Sequence, residues 1–480
     1  MGTNAKLKRD FGALEKTVRW LEETEPAKFQ AELPKKVGKA RGAKLEPFLK
    51  SALLAGVRST QVLPEPGAPL PHGWLIQPSA QSLITQLEAG GLAADQEAAR
   101  AALFVALSEV NREIRTQPGG PVKLPDHGPG TGAKEEIFFA FLEEVRAGNP
   151  DGADERFCWL VSDLEKGPLT DLILSAGLEG VTGDVHKVVA AVEAVSMLQW
   201  IGWEWAPLIL RPVVRLQASG VHALDEYDRC LQEVEGKELL RLARRRPPGQ
   251  PALGERDAGG FLARALEWAE AEPHDRLRLV SENLRAGVPL EDTGEVLGVG
   301  ATLLFLQESL REVTHRVTAR EADERMHVLT GVLALTRLVR LGTPGQRILA
   351  LLLAGYLPGI RARQLAPRAP DSGWWLTPLQ RLVETGSGPA EPPAAWGEAI
   401  LSGKPTGLLP IIAEILDSGR TIERLAEEPS RSAPTRPVAA GLAIKLERSL
   451  ADVYRTTRCP HRWIHLWASA LSLSLWPEET

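Results

Sequence analysis

Between His186 and Leu198 the chain places Val189, Val192 and Ser196 on one track and Val188, Val195 and Leu198 beside it, at steps of three and four residues. Leu329, Val332, Leu333, Leu335, Leu338 and Val339 repeat the pattern between Val328 and Val339. That period suits one face of an α-helix and fits no strand. Each stretch predicts a helix of about three to four turns. Alternation of strand length is missing, tyrosine is confined to Tyr227, Tyr356 and Tyr454, and no Asn-Gly or Asp-Gly turn separates β-type runs. The expected fold class is all-α.

Proline and glycine cluster in 62–73, 117–132, 246–260, 366–373 and 386–393, each expected as a loop or linker. They leave an N-terminal helical segment over 1–115, with an amphipathic helix around Leu7 to Glu23, and three longer blocks at 133–245, 259–365 and 394–480. These blocks read as diverged helical repeats, about three copies. Phe139-Ala-Phe-Leu leads to Leu160-Val-Ser-Asp-Leu-Glu-Lys-Gly167-Pro168. Phe261-Leu-Ala-Arg leads to Leu279-Val-Ser-Glu-Asn-Leu-Arg-Ala-Gly287-Val-Pro289, and the third copy keeps only Trp396 to Gly403-Lys-Pro405. Each glycine is expected just past a helix end at positive φ, with the proline stopping the turn.

Downstream, each block reaches a helix opening on a histidine: Asp184-Val-His186-Lys-Val-Val, Arg325-Met-His327-Val-Leu-Thr and Trp463-Ile-His465-Leu-Trp-Ala. His186 and His327 are 141 residues apart, and His327 and His465 are 138 apart. The first two helices are expected to end near Gly202 and Gly342 and to be followed by apolar helices at Leu208–Leu216 and Ile348–Leu357.

Bulk properties exclude several classes of function. With 480 residues and a net charge of −6, the chain offers no basic footprint for nucleic acid or for an anionic membrane. Cys158, Cys230 and Cys459 are too few and too scattered for a disulfide framework or a Cys-x-x-Cys zinc site. The opening Met-Gly-Thr-Asn-Ala-Lys-Leu-Lys-Arg-Asp lacks an apolar stretch behind its basic residues, and no window offers about 18 uninterrupted apolar residues. A cytoplasmic chain in a reducing compartment is expected.

Histidines at equivalent places in repeated units converge if the units pack about a common axis. Neutral imidazole is the commonest ligand of first-row metals, and two or three histidines with a carboxylate suit non-haem iron. The candidate ligands are His186, His327, His461 and His465. Candidate carboxylates are Asp184, Glu193, Asp323 and Glu324. In Cys459-Pro-His461-Arg-Trp-Ile-His465 the proline suits a first helical turn and sets the two histidines four apart on one face. Cys459 sits where a helix N-terminus stabilises a thiolate. The competing readings are a histidine at a helix start that hydrogen-bonds a neighbouring helix end and, for His461 and His465, an apolar closing helix from Ile464 to Trp476 with one histidine exposed and the other capped.

The run His461-Arg-Trp-Ile-His465-Leu-Trp-Ala-Ser-Ala-Leu471 resembles the His-Pro-Leu-Ile-His-Leu-Gly-type element of the questin oxidase-like family. The Asp-Val-His186 and Arg-Met-His327 helices resemble the histidine-bearing helices of that group and of related helical proteins found beside Rieske domains. The resemblance covers about the last three hundred residues. It implies an all-helical oxidoreductase, in the family's named members one that inserts oxygen and cleaves an aromatic polyketide ring. It extends to His186, His327, His461 and His465 alone. Arg462 stands where the family has proline, Trp467 where it has glycine, and no Cys-x-His Rieske pair is present.

Trp200, Trp203 and Trp205 form one aromatic knot and Trp374-Trp375 another, each able to stack a flat ligand or, more simply, to fill a core. His127-Gly-Pro-Gly-Thr-Gly-Ala-Lys134 lacks the lysine directly after glycine that a phosphate loop needs. Leu297-Gly-Val-Gly300-Ala follows a helical pattern and reads as close helix packing, and Arg244-Arg245-Arg246 reads as a solvated linker. His72, His222, His274 and His315 are expected to be surface or structural residues. Two functions compete: an iron-dependent oxidoreductase acting on a hydrophobic or aromatic small molecule, and a non-catalytic helical scaffold whose surface binds a protein partner.

Overall fold

The computed structural model describes residues 11–40, 42–60, 73–75, 77, 80, 81, 84, 93–115, 133–220, 222, 224–235, 253, 257–312, 319–362, 450, 456–458, 464, 465 and 468. Every regular element among them is helical. The α-helices are α1 Glu15–Glu23, α2 Pro26–Val37, α3 Glu46–Ser59, α4 Ala93–Glu113, α5 Lys134–Arg146, α6 Pro150–Asp163, α7 Lys166–Gly180, α8 His186–Ile201, α9 Ala206–Gln217, α10 Leu224–Glu235, α11 Ala258–Glu270, α12 Pro273–Arg285, α13 Leu290–Glu312, α14 Ala319–Leu341 and α15 Pro344–Ala362. No helix among the described residues is long and apolar enough to cross a membrane.

The chain divides into two compact units, Met1–Leu224 with Ala440–Lys445, and Asp225–Ala439 with Leu446–Thr480. In the first, α1, α2, α3 and α4 pack together and α3 reaches α9. Helix α5 lies against α6 and α7, α6 against α9, and α7, α8 and α9 against one another. In the second, α11 lies against α12 and α13, α12 against α15, and α13, α14 and α15 against one another. Counted from the first helix of each set, the same six neighbour pairs occur in both.

Helix α8 shows why periodicity identifies these elements. It is apolar on every side, and such a helix must sit in the interior. Val188, Val189, Ala190, Ala191, Val192, Ala194, Val195, Met197 and Leu198 are all buried. Close approach of α7 depends on Gly177, where a Cβ would come within 3.1 Å of the Lys187 carbonyl oxygen and the Ala191 methyl. In the second unit Leu329, Val332, Leu333, Leu335, Leu338 and Val339 of α14 are buried, as is α15 from Ile348 to Leu357. Helices α8 and α14 stop at Ile201 and Leu341, each one residue before the expected glycine.

Several boundaries differ from their sequence readings: α14 starts at Ala319, so His327 lies inside it and does not open it, and Ala258 to Gly260, expected in a linker, begin α11. Gly287 follows α12 with φ +80° and precedes Pro289 as expected, but Gly167 and Pro168 lie inside the first turn of α7. The first N–H groups of a helix lack intrahelical acceptors, so proline is tolerated there and the pair does not break the chain. A left-handed glycine of the first unit, Gly148 with φ +69°, stands one junction earlier, between α5 and Pro150, so it does not take the place of Gly287. Gly403 and most of 394–480 lie outside the described residues, as do the clusters at 62–72, 117–132, 246–252, 366–373 and 386–393.

Candidate functional site

His186 is the first residue of α8, in the first unit. Its Nδ1 lies 2.8 Å from Asp184 Oδ1, and its backbone N–H donates to the same oxygen at 2.9 Å. A carboxylate only accepts hydrogen bonds, so Nδ1 carries a proton, and a neutral ring would have its lone pair on Nε2. Burial alone would raise the Asp184 carboxyl, yet hydrogen bonding and charge from His186, with the charge of Lys187, hold it well below the usual carboxylate range. Asp184 therefore orients the imidazole from behind. A carboxylate holding the far nitrogen of a histidine is the usual outer partner of a metal-binding ring.

Next to His186 stands a group that the sequence reading passed over. Lys187 is fully enclosed, its Nζ 3.0 Å from His222 Nε2. Ammonium can only donate, so His222 Nε2 accepts. Burial lowers the Lys187 pKa to about 8 against the opposing charge of Asp184. Burial, followed by the charge of Lys187, lowers His222 to about 4. A lysine heading an otherwise apolar helix was the available signal, but its partner lies beyond the next helix and no local spacing reveals it.

His465 belongs to the second unit, where it and Arg458 both contact α13. Arg458 meets Glu295 and Asp292, and His465 meets Thr302, at one constant offset of 163 residues for Glu295 and Thr302. Asp292, Glu295 and Thr302 share a helix face at steps of three and seven, so Arg458 and His465 meet one face of α13 in chain order. The His465 ring is completely buried, and burial pushes its pKa down to about 3. Nδ1 lies 2.9 Å from Thr302 Oγ1, and Nε2 has no hydrogen-bond partner among the described residues. An unsatisfied buried acceptor costs about 1–3 kcal/mol, which a coordinated ion or a donor would relieve.

His327 lies within α14, half-buried, and its carbonyl oxygen accepts from Thr330 Oγ1 at 3.1 Å. Glu193 is buried in α8. Asp323 and Glu324 fall in α14, their side chains outside the described residues; His461, Cys459, Trp374 and Trp375 lie outside them altogether. Among the described residues no group of three or more His, Cys, Asp or Glu side chains is gathered closely enough to hold a metal ion. A collected ligand set is thus not among the described residues. The first aromatic knot is occupied from within its own unit: Trp205 is buried with its ring 5.5 Å from that of Phe11, Lys50 lies over Trp200 and Lys166 over Trp203. Gly300 packs against Trp268 inside α13, a helix-packing position.

Comparison with protein-family models, with curated proteins and with solved structures finds no match to this chain.

Proposed function

We propose that the chain is a metal-dependent oxidoreductase whose metal donors are His186, His327 and His465, with His461 or an acidic neighbour, the metal iron in its simplest form and the substrate a hydrophobic or aromatic small molecule. The observation that carries the reading is the buried His465 ring, whose Nδ1 is engaged by Thr302 while Nε2 finds no partner among the described residues. His186 adds to it, since Asp184 on Nδ1 leaves Nε2 as the ligand nitrogen of the neutral ring. Iron would supply the oxygen chemistry; the chain would supply ligands, orientation and exclusion of water. The resemblance of the histidine-bearing helices to questin oxidase-like proteins points the same way.

The reading includes internal duplication. The shared neighbour pattern of α5 to α9 and α11 to α15 supports two diverged copies with His186 and His327 near the start of the fourth helix's apolar stretch, and 394–480 would supply a third. The same pattern favours the rival reading, a non-catalytic helical scaffold for a protein partner, because stacked similar units make extended binding surfaces. Metal analysis separates the two. Protein made without a histidine tag under anaerobic, iron-replete conditions should carry one ion per chain and lose it in His186→Ala, His327→Ala and His465→Ala. Metal-free wild type from that preparation overturns the oxidoreductase reading.

A further inference from the structure

The Thr302 hydroxyl has one hydrogen and two close neighbours, the Gly298 carbonyl oxygen at 2.8 Å and His465 Nδ1 at 2.9 Å. One assignment places a hydrogen in both contacts: the hydroxyl donates to Gly298, one helical turn back, and a protonated Nδ1 donates to the hydroxyl oxygen. The reverse, with the hydroxyl donating to Nδ1, leaves two oxygen lone pairs facing each other at 2.8 Å. A doubly protonated ring would make the same contacts, but the ring is fully enclosed and no carboxylate is bonded to it among the described residues. A charge there would be unpaired in the core. The ring is therefore neutral, with its proton on Nδ1 and its lone pair on Nε2.

We infer that Thr302 is a positioning residue, which fixes His465 in the Nδ1–H tautomer and so makes Nε2 the atom offered to a divalent transition metal. The nature of that ligand rests on the metal reading above; the tautomer does not. The device has two stages, since the Gly298 carbonyl holds the hydroxyl and the hydroxyl holds the ring. Asp184 does for His186 in one step what Gly298 and Thr302 do for His465 in two. Nothing in the sequence pairs Thr302 with His465, which lie 163 residues apart.

The test uses the full chain, labelled with nitrogen-15 at histidine and stripped of metal. Long-range proton–nitrogen correlation reads which ring nitrogen carries the proton, and His465→Gln identifies the resonance. Wild type and Thr302→Ser should show Nδ1–H. Thr302→Val, which keeps the shape and removes the oxygen, should lose that fixed tautomer. Titration with cobalt(II) alone gives a second readout: Thr302→Val should bind about 10- to 100-fold more weakly, and Thr302→Ser should restore binding. A wild-type ring protonated on Nε2 overturns the inference, and that measurement decides even if Thr302→Val does not fold. Nδ1–H in wild type together with no cobalt binding upholds the tautomer assignment and removes the metal reading, so the two failures are distinguishable.

Discussion

Arg458 grips Glu295 with two donors, its backbone N–H on one carboxylate oxygen at 3.0 Å and its Nε on the other at 2.9 Å. Its Nη2 reaches Asp292 at 2.8 Å, and the other oxygen of Asp292 accepts the Leu253 N–H at 3.0 Å. One arginine thus compensates two buried carboxylates on α13.

Arg458→Met should destabilise the second unit by about 3 kcal/mol, the lower end for breaking a buried pair, because the arginine side chain is itself 31% exposed. Adding Asp292→Asn and Glu295→Gln to Arg458→Met should recover part of the loss, since the stranded charges are then gone. Urea unfolding of wild type, Arg458→Met and the triple variant measures both effects. Equal stability of Arg458→Met and wild type would show that the contact contributes nothing.

Gly300→Ala tests packing without charge. The added methyl would meet the Trp268 ring at 2.5 Å and the Ala265 carbonyl oxygen at 3.0 Å. Alanine suits a helix better than glycine by about 1 kcal/mol, but the overlap should outweigh that gain and give a net loss of about 1–2 kcal/mol. A melting temperature at or above that of wild type would contradict the close packing of α11 on α13.

His222 should make the first unit sensitive to acid. Its folded pKa, about 4, lies below the ordinary value near 6.5, so between those limits the unfolded chain takes up a proton that the folded chain refuses. Stability should therefore fall as pH drops from about 6.5 to about 4, and the contribution is lost below that. Lys187 and Arg146 are the cations that oppose the proton. Comparing the pH dependence of unfolding in wild type and His222→Gln isolates the effect, and Lys187→Met should move the His222 titration upward. A slope identical in wild type and His222→Gln would refute the assignment.

The thiols offer a quick check of burial. Cys158 and Cys230 are both pushed up to about 12, chiefly by desolvation, so neither is a thiolate at pH 8. In a Cys459→Ser background, buried Cys230 should react with a disulfide reagent only at the rate of unfolding and half-buried Cys158 slowly, with both thiols reacting at once in denaturant. Rapid modification of either in the native state would contradict the placement of α6 or α10.

The helices themselves were readable because each carries its own signal. Val188 to Leu198 and Leu329 to Val339 repeat at the helical period, and Gly202 and Gly342 mark where it stops. The Gly167-Pro168 pair misled for a physical reason: proline ends one helix and opens the next with equal ease, and only the backbone tells which. Asp184 was legible as a carboxylate near His186, but its place on Nδ1 makes it an orienting group, a distinction that spacing does not encode. The links of Lys187 to His222, Arg458 to Glu295 and Thr302 to His465 span 35, 163 and 163 residues, and no periodicity connects residues so far apart.

That constant offset also sets an order of events during synthesis. The polar face of α13 cannot receive its partners until residues 458 and 465 have left the ribosome, so while the intervening 163 residues are made Glu295 and Thr302, and Asp292 with them, must remain hydrated or be shielded by a chaperone. A nascent chain stalled before Arg458 should then be an easier target for proteases at α13 than the finished protein.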